Sequence, residues 1–193
     1  MGWRGFGAGA AFLALGACAA PELGMLPELT FEHLEPVRFN AATLEVVDDY
    51  RPPLSPPNVE HIFPISPAAA VRMWARQRLS AEGQNGVLRV IIHKASVIAE
   101  PIEVRTGVIG LLFYDQNVRY NAEVDVTVEY IGPGTLQTSA RALVTRSRTG
   151  PENLSLDQRD AIFFEVLEGV MEDLDIGLIA AVRENMLPIL LLP

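Results

Sequence analysis

The chain has a single cysteine, Cys18, in 193 residues, so no disulfide can form within it. The fold must rest on a hydrophobic core, and residues 18–193 suffice to build one as a single domain. A basic surplus is missing too: Lys and Arg number 15 against 24 Asp and Glu, for a formal net charge of −9. Neutralising phosphates takes clustered Lys and Arg, so this balance argues against nucleic acid as a partner. It argues equally against adhesion to anionic lipid head groups by charge alone. The apolar stretches at both ends fall short of the roughly 20 residues that a membrane-crossing helix needs. The chain carries no internal repeat.

Motifs of known chemistry are also missing. There is no G-x-S-x-G elbow, no P-loop and no G-x-G-x-x-G. His33, His61 and His93 are far apart, and none has a second ligand at metal spacing. Asp48 and Asp49, and the cluster Glu165, Glu168, Glu172, Asp173 and Asp175, lack the spacing of a Ca²⁺ loop and read as solvated surface. Arg72 and Arg76 stand one helical turn apart, and Arg146 and Arg148 flank the end of a strand. Either pair could meet an anionic ligand, with surface charge as the plainer reading. Trp74 reads as core. The expectation is a protein that is not an enzyme and needs no cofactor or metal.

The N-terminus is what the chain does have. Residues 1–4 supply a short positive region through the amine and Arg4, residues 5–14 (GFGAGAAFLA) are small and apolar, and Leu15-Gly16-Ala17-Cys18 closes the stretch. This is the three-part pattern of a secretory signal, to be set aside from fold reasoning. The tetrad resembles the lipobox of bacterial lipoproteins. That resemblance implies cleavage before Cys18, a diacylglycerol on its thiol, and an acyl chain such as palmitate on the new amine. Several acyl chains hold a protein on a bilayer without spanning it. Ala19 and Ala20 follow, where an Asp would imply inner-membrane retention, so the expected location is the periplasmic face of the outer membrane.

The expected organisation is a signal at 1–17, a tether at 18–36 with three prolines, a domain at 37–187 and an apolar tail at 188–193. Residues 37–50 (VRFNAATLEVVDDY) read as a first strand with a slip near Ala42 and Thr43. A connection rich in proline follows, and Ser66-Pro67 starts a helix that runs to about Leu79. Residues 87–99 read as a central strand and 102–114 as another. In RYNAEVDVTVEYI, Tyr120, Ala122, Val124, Val126, Val128 and Tyr130 share one face, the pattern of a half-buried antiparallel strand. With a turn at 132–134, Asp125 is expected opposite Arg141, Val126 opposite Ala140 and Val124 opposite Ala142. Ser155 and Gln158 form a capping box for a last helix reaching about Met186, with Gly169 and Gly177 placed for close approach to the sheet.

The expected fold class is therefore α+β, an antiparallel sheet of four to five strands with two helices on one face. With its lipobox and tether, the chain resembles small periplasm-facing lipoproteins, among them the LPS-assembly lipoprotein and the auxiliary lipoproteins of lipid-transporting ABC systems. The stretch QNVRYNAEVDVTVEYIG, residues 116–132, is similar to an uncharacterised family of outer-membrane lipoproteins. The resemblance brings no catalytic residues. It implies an accessory role in envelope assembly or transport, with an envelope protein or transport complex as partner; the expected mechanism is tethering plus surface recognition through an open sheet edge. The alternative is a lipoprotein holding a lipid or apolar ligand between helix and sheet, in a cavity lined by Val124, Val126, Val166 and Val170. The tail, MLPILLLP at 186–193, either packs on the domain's own core or forms an exposed apolar patch.

Overall fold

The computed structural model describes residues 27–104 and 115–191. Cys18, the 1–17 signal and the first part of the tether lie outside them, as do residues 105–114 of the strand expected over 102–114. The elements in order are β1 (Val37–Phe39), β2 (Thr43–Asp48), α1 (Pro67–Arg78), β3 (Leu79–Ala81), β4 (Val87–Val104), β5 (Asp115–Ile131), β6 (Gln137–Pro151) and α2 (Leu156–Asn185). A four-stranded sheet has the order β2-β4-β5-β6, and a two-stranded one pairs β1 with β3. Both helices pack against the sheets, α2 chiefly along β6 and α1 on β4 and β3. The class is α+β.

The sheet is mixed where an antiparallel one was expected. β4, β5 and β6 form an antiparallel meander, but β2 runs parallel to β4 and β1 parallel to β3. A helix lies between the partners in each parallel pair, and such a crossover returns the chain in its original direction. The slip near Ala42 is a full break: residues 37–39 and 43–48 enter different sheets.

β4 runs unbroken through Pro101, where two strands were expected. The N–H of Ala99 points away from β5, to the Pro57 carbonyl at 2.9 Å. The nitrogen of residue 101, two positions on, points the same way, so proline removes no donor from the β4–β5 ladder. A bulge at His93 shifts the register between Ile92 and Lys94. Leu88, Val90 and Ile92 face the core before it, Ala95 and Val97 after it, so the apolar pattern changes phase within one strand.

The β5–β6 register differs from the expected one by two residues. Val126 faces Ala142, Val124 faces Val144, and Arg141 lies opposite Thr127. The loop has five residues, closed by the Gly132 N–H on the Leu136 carbonyl at 2.9 Å, so Thr135 and Leu136 belong to it. An even shift keeps each side chain on its face. Arg141 therefore still reaches Asp125, now diagonally, with Nε–Oδ1 at 2.8 Å.

Helix starts follow the local chemistry. Ser66 caps α1 through the Ala69 N–H, and Ser155 with Gln158 forms the reciprocal capping box of α2. Val71, Trp74, Val170, Leu174, Leu178 and Val182 are fully buried, each aliphatic one contributing about 1.5–3 kcal/mol. Asp175 Oδ1 accepts from Trp74 Nε1 at 2.9 Å and from Arg78 Nε at 2.8 Å, which locks α1 to α2. Phe63 stacks on Phe163 with centroids 4.0 Å apart, fixing the proline-rich connection to α2. At the β3–β4 turn, Gly86 has φ +79°, and a Cβ there would strike the Tyr130 ring.

The tail packs on its own domain as far as it is described. Met186 and Ile189 are buried, and backbone bonds tie the tail to β1: Asn40 N–H to the Ile189 carbonyl at 2.8 Å and Leu191 N–H to the Arg38 carbonyl at 2.9 Å. No helix among the described residues is long and apolar enough to cross a membrane.

Candidate functional site

Most residues singled out from sequence are occupied structurally. Arg72 pairs with Asp48 at 2.6 Å, Arg146 with Asp173 at 3.4 Å, and Arg148 with Glu165 at 2.9 Å. Asp173 and Glu165 of α2 and Arg146 and Arg148 of β6, which the sequence leaves unconnected, are thus each other's counterions. His93 Nε2 lies 2.9 Å from Thr127 Oγ1 on the exposed sheet face, and His61 is exposed in a 3₁₀ turn over Glu60–Ile62. The described residues contain no group of three or more His, Cys, Asp or Glu placed to hold a metal ion.

Val124, Val126, Val166 and Val170 come together between α2 and the sheet, each at most 1% exposed. A side chain with no accessible surface leaves no water-sized void beside it, so these four enclose no space for a ligand. The interior site expected for an apolar ligand is not formed at these positions. Two clefts open at the surface among the described residues. One of about 560 Å³ runs between residues 27–34 and α2, lined by buried Phe31 and Met171, exposed Ile176, and Glu28, Glu168 and Glu172. Another of about 470 Å³ lies between β1, the end of α2 and the tail.

The two edges of the main sheet contrast sharply. On one side, β2 covers residues 87–92 of β4, and the proline-rich connection covers the next stretch. Val59 donates to the Val97 carbonyl at 2.8 Å and Ala99 to the Pro57 carbonyl. Between them, Glu60 Oε2 accepts the Val97 N–H at 3.1 Å. Glu60 is 2% exposed and has no cationic partner among the described residues. Burial pushes its carboxyl up, but donors outweigh this and hold it below the ordinary value: the Tyr50 hydroxyl at 2.7 Å, its own and the Val97 N–H, and Asn58. Burial, then the bond and the charge of Glu60, drive the Tyr50 phenol upward. Nothing in the composition marks Glu60. The only signal is an acid just after Asn58-Val59 in an otherwise apolar and prolyl stretch.

On the other side lies β6, fifteen residues long. Among the described residues, no backbone bond outside the β5–β6 ladder reaches it. Every second residue of an edge strand points its N–H and C=O outward. Natural edges are blunted by charge, proline or brevity, yet the three arginines here are engaged: Arg141 with Asp125, Arg146 and Arg148 with α2. Ser139, Leu143, Thr145, Ser147 and Thr149 are exposed and uncharged, and Leu143 is 59% exposed.

No family model and no curated protein matches the chain. Among solved structures, it is similar to the rare lipoprotein B from Shewanella oneidensis, with 13% identity and a TM-score of 0.35 over 74% of this chain and 95% of that one. It is also similar to a minor lipoprotein from Acinetobacter baumannii, with 9% identity and a TM-score of 0.35 over 79% of this chain and 97% of that one. Likeness this slight carries no argument about activity.

Proposed function

We propose that the protein is a lipid-anchored envelope lipoprotein without catalytic activity, which docks a partner envelope protein by strand addition at β6. Cys18 is the lipidation site, the tether lifts the domain from the periplasmic face of the outer membrane, and the edge supplies recognition. The carrying observation is the fifteen-residue edge of β6, bare among the described residues, set against an opposite edge covered by β2, a proline-rich connection and a buried carboxylate. A partner strand would take its affinity from main-chain bonds and its register from pockets between Leu143, Thr145 and Ser147.

Two measurements test this reading. Intact mass of the protein from its native membrane reads the anchor: a chain beginning at Cys18 with three acyl chains is expected, and an unmodified Cys18 overturns lipidation. Photo-crosslinking in cells from positions 139, 143 and 147 reads the edge. One envelope protein should be captured from all three, and Thr145→Pro should abolish capture while the fold persists. Capture that survives the proline overturns strand addition.

A further inference from the structure

We infer that the cleft between β1, the end of α2 and the C-terminal tail is a binding site for an anionic amphiphile, a phosphate or carboxylate head carrying an acyl chain. The inference is independent of the β6 edge. The cleft, about 470 Å³, is lined by Arg38, Arg78 and Arg183 together with Leu187, Leu190 and Leu191, and by one carboxylate, Glu35.

Charge is the first argument. In this acidic chain the arginines at 72, 78, 89, 141, 146 and 148 are bound to carboxylates. Arg38 and Arg183 have no ion pair among the described residues, and both are exposed. Arg51, Arg76 and Arg119 likewise lack an ion pair among the described residues, and of these Arg76 lines an adjoining cleft that shares Arg38 and Glu35. The C-terminal end of α2 would by itself account for a cation at Arg183. It does not account for Arg38, which stands on β1.

Apolar surface is the second argument. Leu187 is 55% and Leu191 37% exposed, while Met186 and Ile189 between and before them are buried. The tail is held in this setting by the Asn40–Ile189 and Leu191–Arg38 backbone bonds. The leucines are therefore presented outward by anchored backbone, beside the strand that carries Arg38. A guanidinium fork matches the oxygens of a phosphate or carboxylate, and adjacent leucines match a hydrocarbon chain. Neither half of such a ligand alone would use the whole cleft.

The test is calorimetry on the full chain carrying Cys18→Ser, so that no acyl group of its own competes. Dodecyl phosphate below its micelle threshold should bind at one site. Inorganic phosphate and the neutral dodecyl maltoside should each bind at least tenfold more weakly. Arg38→Ala with Arg183→Ala should weaken dodecyl phosphate at least tenfold, Leu191→Ser should weaken it several-fold, and Arg38→Lys with Arg183→Lys, which keeps the charge but not the fork, should restore only part of the affinity. Both arginines are exposed, so thermal melts should match the parent. Equal binding of inorganic phosphate would reveal a simple anion site, and equal binding of the maltoside an apolar patch; either overturns the inference. So does unchanged affinity in the double alanine variant, or attachment to phosphatidylglycerol vesicles without binding of the monomeric amphiphile.

Discussion

The Glu60 carboxylate takes the place of a strand carbonyl, accepting the Val97 N–H at 3.1 Å on the edge of β4. The same side chain accepts the Tyr50 hydroxyl and the Asn58 amide. Glu60→Ala would strand three donors, each costing about 1–3 kcal/mol when left without a partner in the interior. The expected loss is about 3 kcal/mol or more in urea unfolding, with Glu60→Gln losing less because one acceptor oxygen remains. A loss under about 0.5 kcal/mol for the alanine variant would show that water replaces the carboxylate without cost.

Acid should undo this lock and the Asp125–Arg141 pair together. The bond to Arg141 chiefly holds the Asp125 carboxyl below its ordinary value despite burial, and the donors around Glu60 do the same there. Both groups bind protons less readily folded than unfolded. Their contribution is complete above the unfolded carboxylate range, about pH 4, and is lost as pH falls through the depressed folded values. Tyr50 has the opposite sign: its raised folded value means stability is lost as pH rises above about 10. Urea midpoints between pH 7 and 2 should drop, and the drop should be shallower in Glu60→Gln with Asp125→Asn. Parallel curves would exclude these two groups as its source.

What could be read from sequence here was local. Ser66-Pro67, the Ser155–Gln158 box and the alternation of β5 each encode their outcome in a few neighbouring residues, and all three hold in the structure. What failed depended on partners far along the chain. GPGTL can close as a three- or a five-residue loop, and both keep Val124 and Val126 inward, so the apolar pattern could not choose between registers that differ by two. Pro101 signalled a break because its harmless direction depends on Pro57 and Val59, forty residues earlier. The candidate edge was invisible for the same reason: the Asp125–Arg141 pair was expected, but only the assembled sheet shows that β6 lies at the edge and that Arg146 and Arg148 are also paired.

Gly169 and Gly177 both sit in α2 but should respond oppositely to alanine. A Cβ at Gly177 would meet Ala142 and Val144 at 3.8 and 4.0 Å, ordinary contact. Gly177→Ala should therefore stabilise by about 0.5–1 kcal/mol from helix propensity. A Cβ at Gly169 would lie 2.6 Å from Arg146 Nε, so Gly169→Ala must displace that side chain and its pairing with Asp173. Its gain in propensity should be cancelled or reversed. Thermal melts of the two single variants check this, and equal stabilisation would mean that Arg146 moves aside freely.

Asp175 offers the sharpest test of how the helices are joined. Its Oδ1 accepts from both Trp74 and Arg78, and Arg78 is 8% exposed. Asp175→Ala would leave a nearly buried guanidinium without its counterion, a change that costs about 3–5 kcal/mol, and would free the indole N–H. Beyond residue 17 Trp74 is the only tryptophan, so in a chain made from residue 18 onward the tryptophan emission comes from this side chain alone. The expected outcome is a fall in urea midpoint together with a shift in emission. Asp175→Asn keeps an acceptor for the indole but loses the charge, so it should hold the emission near the parent's while still losing stability. Unchanged emission and midpoint in the alanine variant would show that packing of Leu174 and Leu178 alone sets the α1–α2 contact.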